Sequence, residues 1–172
     1  MKQEGFLLAI AQISVTLAGF SGLVVAIRAA PPSRWHARDT WSLAWMLGSS
    51  LGALFLALLP FVLNSFGLGD EFLWKVATLT MSAAMIGFAL VMTLSDRRLT
   101  RLGHRARVRY FPTVATYLVA GVGFAVGLAA IGKLQHIRLG LFDIGLITCL
   151  LVSALSLVVF LVVLARSTRS ES

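Results

Sequence analysis

The sequence predicts an all-α, polytopic membrane protein, a bundle of about five transmembrane helices. Of its 172 residues, 58% are hydrophobic and 13% are charged, and the mean hydropathy is +0.89. A soluble domain carries about 25% charged residues. The apolar residues form five long blocks, and each block reaches the length of about 20 residues that a helix needs to cross the hydrocarbon layer. The charged residues are concentrated in the short segments between these blocks.

The five blocks predict helices over about 6–27, 41–63, 72–94, 110–132 and 140–165, in one domain that covers residues 1–172. The first block is longer than the apolar core of a signal peptide, so we expect a retained helix. Asp39 is placed to cap the second helix. Asp70 and Glu71 fall in the first turn of the third helix, where acidic side chains suit the helix dipole. The fifth block is long enough to tilt or to extend past the interface.

The distribution of basic residues predicts the orientation. With five crossings, 11 of the 15 Lys and Arg residues lie on the side that holds the C-terminus, and 4 lie on the other side. Cytoplasmic loops carry the excess of basic residues. We therefore expect the N-terminus outside and the C-terminus in the cytoplasm. The same bias explains the net charge of +8, so the sequence predicts no nucleic-acid partner.

The longest predicted loop, 96–109, is rich in arginine. Basic residues next to a membrane attract anionic lipid headgroups, and each residue contributes about 1 kcal/mol to the binding free energy. We expect this contact on the cytoplasmic side, and docking of an acidic cytoplasmic protein remains the alternative. The basic side chains of the loop are Arg97, Arg98, Arg101, Arg105, Arg107 and Arg109.

The segment 10–24, IAQISVTLAGFSGLV, resembles the opening helix of a group of small, uncharacterised multi-pass inner-membrane proteins of bacteria. The resemblance covers about 15 residues and extends to no later part of the chain. It implies a bacterial inner (cytoplasmic) membrane, and it implies no activity.

Two helix faces carry polar side chains at membrane depth. Gln12, Thr16 and Gly19 share one face of the first helix, and Ser14 lies on the opposite side. A second face follows the third helix and includes Lys75, Thr78, Ser82 and Thr93. Polar side chains are costly against lipid, so they point towards protein or water. A pore lining and hydrogen bonds between helices both account for these faces.

Small residues predict where helices approach each other closely. Gly48 and Gly52 are spaced four residues apart in the second helix, and Gly123 and Gly127 are spaced four apart in the fourth. Small faces allow membrane helices to gain dispersion contacts and interhelical hydrogen bonds. We expect these four glycines to pack against neighbouring helices.

Two ionisable residues, Lys75 and Asp143, fall inside the predicted spans, at matching depths near the outer boundary. A short carboxylate in apolar surroundings needs a partner. Lys75, Lys133 and Arg138 are the candidate partners on that side, and we expect a Lys75–Asp143 ion pair between helices three and five.

The sequence shows no spacing typical of catalysis, metal binding or phosphate binding, so we expect neither an enzyme nor a cofactor. Five helices with short loops leave little room for a substrate cavity in one subunit. The small and polar helix faces then favour association, so we expect a homo-oligomer. The leading functional prediction is an oligomeric channel or pore for ions or small solutes. The alternative is a non-conducting accessory or scaffold subunit that binds a partner membrane protein or lipid.

Overall fold

In the computed structural model, which describes residues 3–27, 37–103 and 111–169, the chain folds into five α-helices. A single 3₁₀ turn, Gln135–Ile137, precedes the last helix, and the described ranges contain no strand. All five helices are long and apolar enough to cross a membrane. The predicted all-α membrane fold with five helices is therefore confirmed. The helices are α1 (Glu4–Ile27), α2 (Ala37–Ser65), α3 (Asp70–Arg101), α4 (Phe111–Ala130) and α5 (Arg138–Arg169).

The third helix is longer than the sequence predicts, and its first turn is as expected. Asp70 and Glu71 lie in that turn. At the other end, the predicted boundary at residue 94 is wrong, because α3 continues to Arg101. No Gly or Pro interrupts residues 95–102, and Gly103 then adopts a φ of 84°, a backbone conformation that suits glycine beyond a helix end. Basic side chains in the last turn also favour the extension through the helix dipole.

The start of the second helix also differs from the prediction. α2 begins at Ala37, so Asp39 belongs to the first turn and does not occupy the position before it. The Asp39 side chain lies outside the described part of the structure.

Four helices form a closed ring, and the first helix packs on its outside. In chain order, α2, α3, α4 and α5 each contact the next helix, and α5 closes the ring against α2. α1 packs mainly on α2 and touches α5, and its described residues make no contact with α3 or α4. One long face of α1 is therefore directed away from the bundle.

The interior of the ring is filled by small residues and by flexible or aromatic side chains. Met46, Met81 and Met85 are buried beside alanines and serines. Trp74 and Phe142 pack edge to face near the start of α3, with ring centroids 5.6 Å apart. Trp45 and Phe88 do the same between α2 and α3, at 5.1 Å. Many leucines and phenylalanines are exposed on the outside, as expected for helices that are solvated by lipid chains.

Candidate functional site

The first helix divides into an inward and an outward face. Leu7, Ile10 and Ser14 are buried against the bundle, whereas Gln12 and Thr16 are exposed on the opposite side. Ser14 donates a hydrogen bond to the carbonyl oxygen of Ile10, and Thr16 donates one to the carbonyl oxygen of Gln12. The Gln12 amide has no hydrogen-bond partner among the described residues.

Gln12 lies near the middle of the apolar span of α1. It is the ninth residue of the 21-residue apolar span of α1, so it lies about 12 Å along a helix that rises about 1.5 Å per residue. Gly19 shares its face and is exposed, with open space around the position that a Cβ atom would take. Gly5, seven residues before Gln12, is also exposed and open. We call the face formed by Gly5, Gln12, Thr16 and Gly19 the outer face of α1.

The polar face predicted for the third helix does not line a pore through the bundle. Thr78 and Ser82 are buried, and both hydroxyls are used within protein contacts. Thr78 donates to the carbonyl oxygen of Trp74, and Ser82 donates across the α3–α4 contact to the carbonyl oxygen of Gly123, at 2.8 Å. Thr93 is half-buried and donates to the carbonyl oxygen of Ala89. The predicted polar face of α3 therefore packs against protein, and of its four residues only Lys75, near the start of α3, is exposed.

The buried serine and threonine hydroxyls in the described ranges are all hydrogen-bonded to protein, whereas the buried indole N–H of Trp45 has no hydrogen-bond partner in the structure. The pair between α2 and α5 is the most notable, because the Ser50 and Ser153 hydroxyl oxygens are 2.5 Å apart and Ser153 also donates to the carbonyl oxygen of Met46, at 3.0 Å. No sequence pattern predicts this pair, because its two members are 103 residues apart in the sequence. The complete set is Ser14, Ser21, Ser49, Ser50, Thr78, Ser82, Thr148, Ser153 and Ser156.

Three of the four predicted packing glycines face a neighbouring helix at short distance. A Cβ atom at Gly123 would lie 2.9 Å from the Met85 Cβ atom, and one at Gly127 would lie 2.7 Å from the Ser82 hydroxyl oxygen. A Cβ atom at Gly48 would lie 2.7 Å from the ring of Phe88. These distances are shorter than the optimal separation of about 3.5–4.0 Å between carbon atoms, so side chains larger than hydrogen do not fit without movement.

The fourth packing glycine, Gly52, does not pack as predicted. No atom lies within 4 Å of the position that its Cβ atom would take. α2 and α3 are consecutive and antiparallel, so Gly52, one turn after Gly48, lies opposite the turn of Ala84, which is one turn before Phe88. Phe88 fills the space beside Gly48, but Ala84 is too short to fill the space beside Gly52.

That space is a cavity of about 220 Å³ between the helices of the ring. Helix α2 contributes Gly48, Ser49, Gly52 and Leu56, and α3 contributes Ala84, Met85 and Phe88, with Val119 of α4 and Cys149 of α5 completing the wall. The lining is almost entirely apolar, and its one hydroxyl, that of Ser49, donates to the carbonyl oxygen of Trp45. The cavity is therefore suited to hydrocarbon and offers no path for an ion.

The predicted ion pair between Lys75 and Asp143 is not formed. Lys75 is exposed, and the half-buried Asp143 carboxylate instead accepts a hydrogen bond from the Gln3 side-chain amide, at 3.2 Å. Trp74 packs on Phe142, and a rotation of about 100° per residue turns Lys75 away from that contact. The Gln3 bond joins the start of α1 to α5.

Unused hydrogen-bonding capacity remains at the end of the bundle where Gln3 contacts Asp143. The second carboxylate oxygen of Asp143, the side-chain oxygen of Gln3 and the Nε atom of Arg138 are buried without a hydrogen-bond partner in the structure. The two oxygens can accept hydrogen bonds from water, and the Arg138 Nε–H can donate one. Within the described ranges, no group of three or more His, Cys, Asp and Glu side chains is arranged to hold a metal ion.

The predicted lipid-contacting arginines are only partly within the described residues. Arg97, Arg98 and Arg101 lie on the last turns of α3 and are exposed. Arg105, Arg107 and Arg109 lie outside the described residues. Comparison with protein-family models, with curated proteins and with solved structures finds no match to this chain.

Proposed function

We propose that this integral membrane protein is a non-conducting accessory or scaffold subunit that assembles with further copies of itself through the outer face of α1. The observation that carries the proposal is the state of the polar groups at membrane depth. The buried hydroxyls of the described residues are all bonded to protein, and the internal cavity is apolar. A polar path for ions needs groups that replace the hydration shell along its whole length, whereas the unpartnered buried side-chain oxygens of the described residues, those of Gln3 and Asp143, lie at one end of the bundle.

The Gln12 amide is the strongest argument for self-association. It is exposed near mid-membrane and has no protein partner among the described residues, which is costly in hydrocarbon. An amide both donates and accepts hydrogen bonds, so two copies of Gln12 can pair with each other across a symmetric interface. Gly5 and Gly19 on the same face allow two such helices to approach closely.

The experiment measures association in lipid bilayers. Two samples of the full chain, one labelled with a donor fluorophore and one with an acceptor, are mixed at increasing protein-to-lipid ratios, and energy transfer is recorded. Interhelical hydrogen bonds in membranes contribute about 0.6 kcal/mol on average and at most about 1.7. Gln12→Leu should therefore weaken association by about three- to twentyfold.

The matched control is Thr80→Leu. Thr80 is also exposed, but it lies on α3, which α1 does not contact among the described residues. We expect this change to leave the energy transfer unaltered. Equal association of the wild type and both variants would contradict the role of Gln12. Energy transfer that appears only when another membrane protein is added would show that the outer face of α1 binds a different partner and not a second copy of the chain.

An oligomeric channel is the second candidate, because Gln12 and Thr16 are both exposed on one face. If several copies place this face around a common axis, the side chains line a pore that no single subunit contains. The two candidates differ in ion flux, and the same Gln12→Leu variant distinguishes them, since it abolishes flux only in the channel.

The surroundings that we propose follow from the distribution of charge. The excess of basic residues assigns the C-terminal side to the cytoplasm, and the resemblance of the first helix favours a bacterial inner membrane. Arg97, Arg98 and Arg101 are exposed where α3 leaves the apolar layer, a position that suits anionic lipid headgroups.

A further inference from the structure

The cavity beside Gly52 opens sideways into the membrane. Its wall residues on α4 and α5, Val119 and Cys149, are buried, whereas the wall residues with exposed surface, including Gly52 and Ala84, belong to α2 and α3. The opening therefore lies between α2 and α3. At one end, Phe88 covers Gly48 and is stacked on the buried Trp45, which closes the cavity on that side.

The opening lies at the centre of the bilayer. Gly52 is the thirteenth residue of the 26-residue apolar span of α2, and Cys149 is the twelfth residue of the 25-residue span of α5. Both positions are close to the midpoint of their spans. The terminal segments of lipid acyl chains occupy this depth, and the headgroups do not reach it.

We propose that the cavity is a lateral binding site for the terminal segment of a membrane-lipid acyl chain, which enters between α2 and α3 and extends towards Cys149. The lining is uncharged and almost wholly apolar, which matches hydrocarbon and disfavours water. The volume of about 220 Å³ exceeds the roughly 150 Å³ of an apolar cavity that holds benzene. Lipid acyl chains surround the membrane-spanning helices, so they are present at the opening at high concentration. The site is independent of the assembly proposed for α1.

Filling the site recovers packing that the empty cavity lacks. Apolar atoms that face a void lose dispersion contacts on that side. An acyl chain is as apolar as a leucine side chain, so its gain here comes from close packing and not from leaving water. The two small residues that face each other, Gly52 and Ala84, are what leave room for it.

The single cysteine of the chain provides the test. Cys149 lies at the back of the cavity and is only 8% exposed, so a reagent on a lipid tail reaches it only by entering the bundle. The full-length protein is reconstituted with a phospholipid that carries a diazirine next to the terminal methyl group of one acyl chain. After illumination, mass spectrometry measures the fraction of adducts on the peptide that contains Cys149.

We expect adducts at Cys149 in the wild type and at least a tenfold loss in Gly52→Leu, whose side chain fills the opening. Gly121→Leu is the control, because Gly121 is exposed on α4 and has open space around its Cβ position. It should keep the adducts of the wild type. A diazirine placed near the headgroup should label Cys149 weakly, since the opening is at mid-membrane. Helicity and elution volume show that each variant has folded.

Several results would overturn the proposal. Adducts restricted to lipid-exposed side chains such as Phe55 and Leu90, with none at Cys149, would show that no chain enters. Equal labelling of Cys149 in the wild type and in Gly52→Leu would show entry by another route. Labelling that falls as the protein-to-lipid ratio rises would show that a second copy of the chain occupies the opening.

Discussion

Replacing Gly123 by alanine tests whether α3 and α4 approach as closely as the structure shows. The new Cβ atom would lie 2.9 Å from the Met85 Cβ atom and 3.3 Å from the Ile86 Cγ1 atom. Optimal carbon contacts are about 3.5–4.0 Å, so the helices must separate by roughly 0.6–1.1 Å. The Met85 Cβ atom is attached to the backbone and cannot rotate away. The strain therefore falls on the helix–helix contact itself.

The magnitude follows from the cost of overpacking. Extra methyl groups in a well-packed interior lower the free energy of unfolding by about 1–3 kcal/mol. If the helices move apart instead, a gap of about 0.5–1 Å removes a quarter to a half of the dispersion attraction between neighbouring atoms. Alanine also favours the helix over glycine by about 1 kcal/mol. Gly121→Ala is the reference, because it gains the same helix propensity at an exposed position where the new methyl group has open space. We expect Gly123→Ala to be less stable than Gly121→Ala by about 1–3 kcal/mol.

The assay is reversible unfolding in mixed micelles, titrated with a denaturing detergent and followed by helicity. Gly127→Ala should fall between the other two variants. Its Cβ atom would meet the Ser82 hydroxyl, which can rotate, but the rotation breaks the hydrogen bond to the Gly123 carbonyl oxygen. If Gly123→Ala is as stable as Gly121→Ala, the close approach of α3 and α4 is refuted.

Three further predictions concern contacts and orientation. Ser50→Ala and Ser153→Ala should show a coupling free energy of about 0.6–1.7 kcal/mol in a double-mutant cycle, and zero coupling would contradict the α2–α5 hydrogen bond. Lys75→Met should change the free energy of unfolding by less than about 0.5 kcal/mol, because Lys75 is not paired with Asp143. Gln3→Leu should lower the free energy of unfolding less in an Asp143→Leu background than in the wild type, because the Gln3–Asp143 hydrogen bond is then already absent. Coupling between Lys75 and Asp143 would instead support the ion pair. A cytoplasm-active reporter fused to the C-terminus should function, and a periplasm-active one should stay silent. The reverse result would contradict the proposed topology.

Helix number and type could be predicted because the bilayer sets the length of an apolar span. The helix wheel also separated the two faces of α1 correctly, with Gln12 opposite Ser14. Which face is buried could not be predicted from hydropathy. In lipid there is no hydrophobic drive that turns Leu inward and Ser outward, so the bundle buries serines and exposes leucines. The burial of Thr78 and Ser82 on α3 has the same cause.

The contacts of the candidate sites depend on register, which a single sequence does not contain. Asp143 was expected to pair with a cation, but it accepts a hydrogen bond from Gln3, which is 140 residues away in the sequence. The cavity arises because Gly52 lies opposite Ala84 across the α2–α3 contact. Neither residue is unusual by itself, and a shift of one turn would close the space.

Ion flux through reconstituted vesicles tests the non-conducting account most directly. The protein is placed in liposomes that hold a potassium gradient, at a protein-to-lipid ratio where energy transfer shows association. Because the buried hydroxyls of the described residues are all bonded and the cavity is apolar, we predict flux equal to that of protein-free liposomes. Flux that rises with the amount of protein and disappears in Gln12→Leu would contradict this account and establish a pore lined by the outer face of α1.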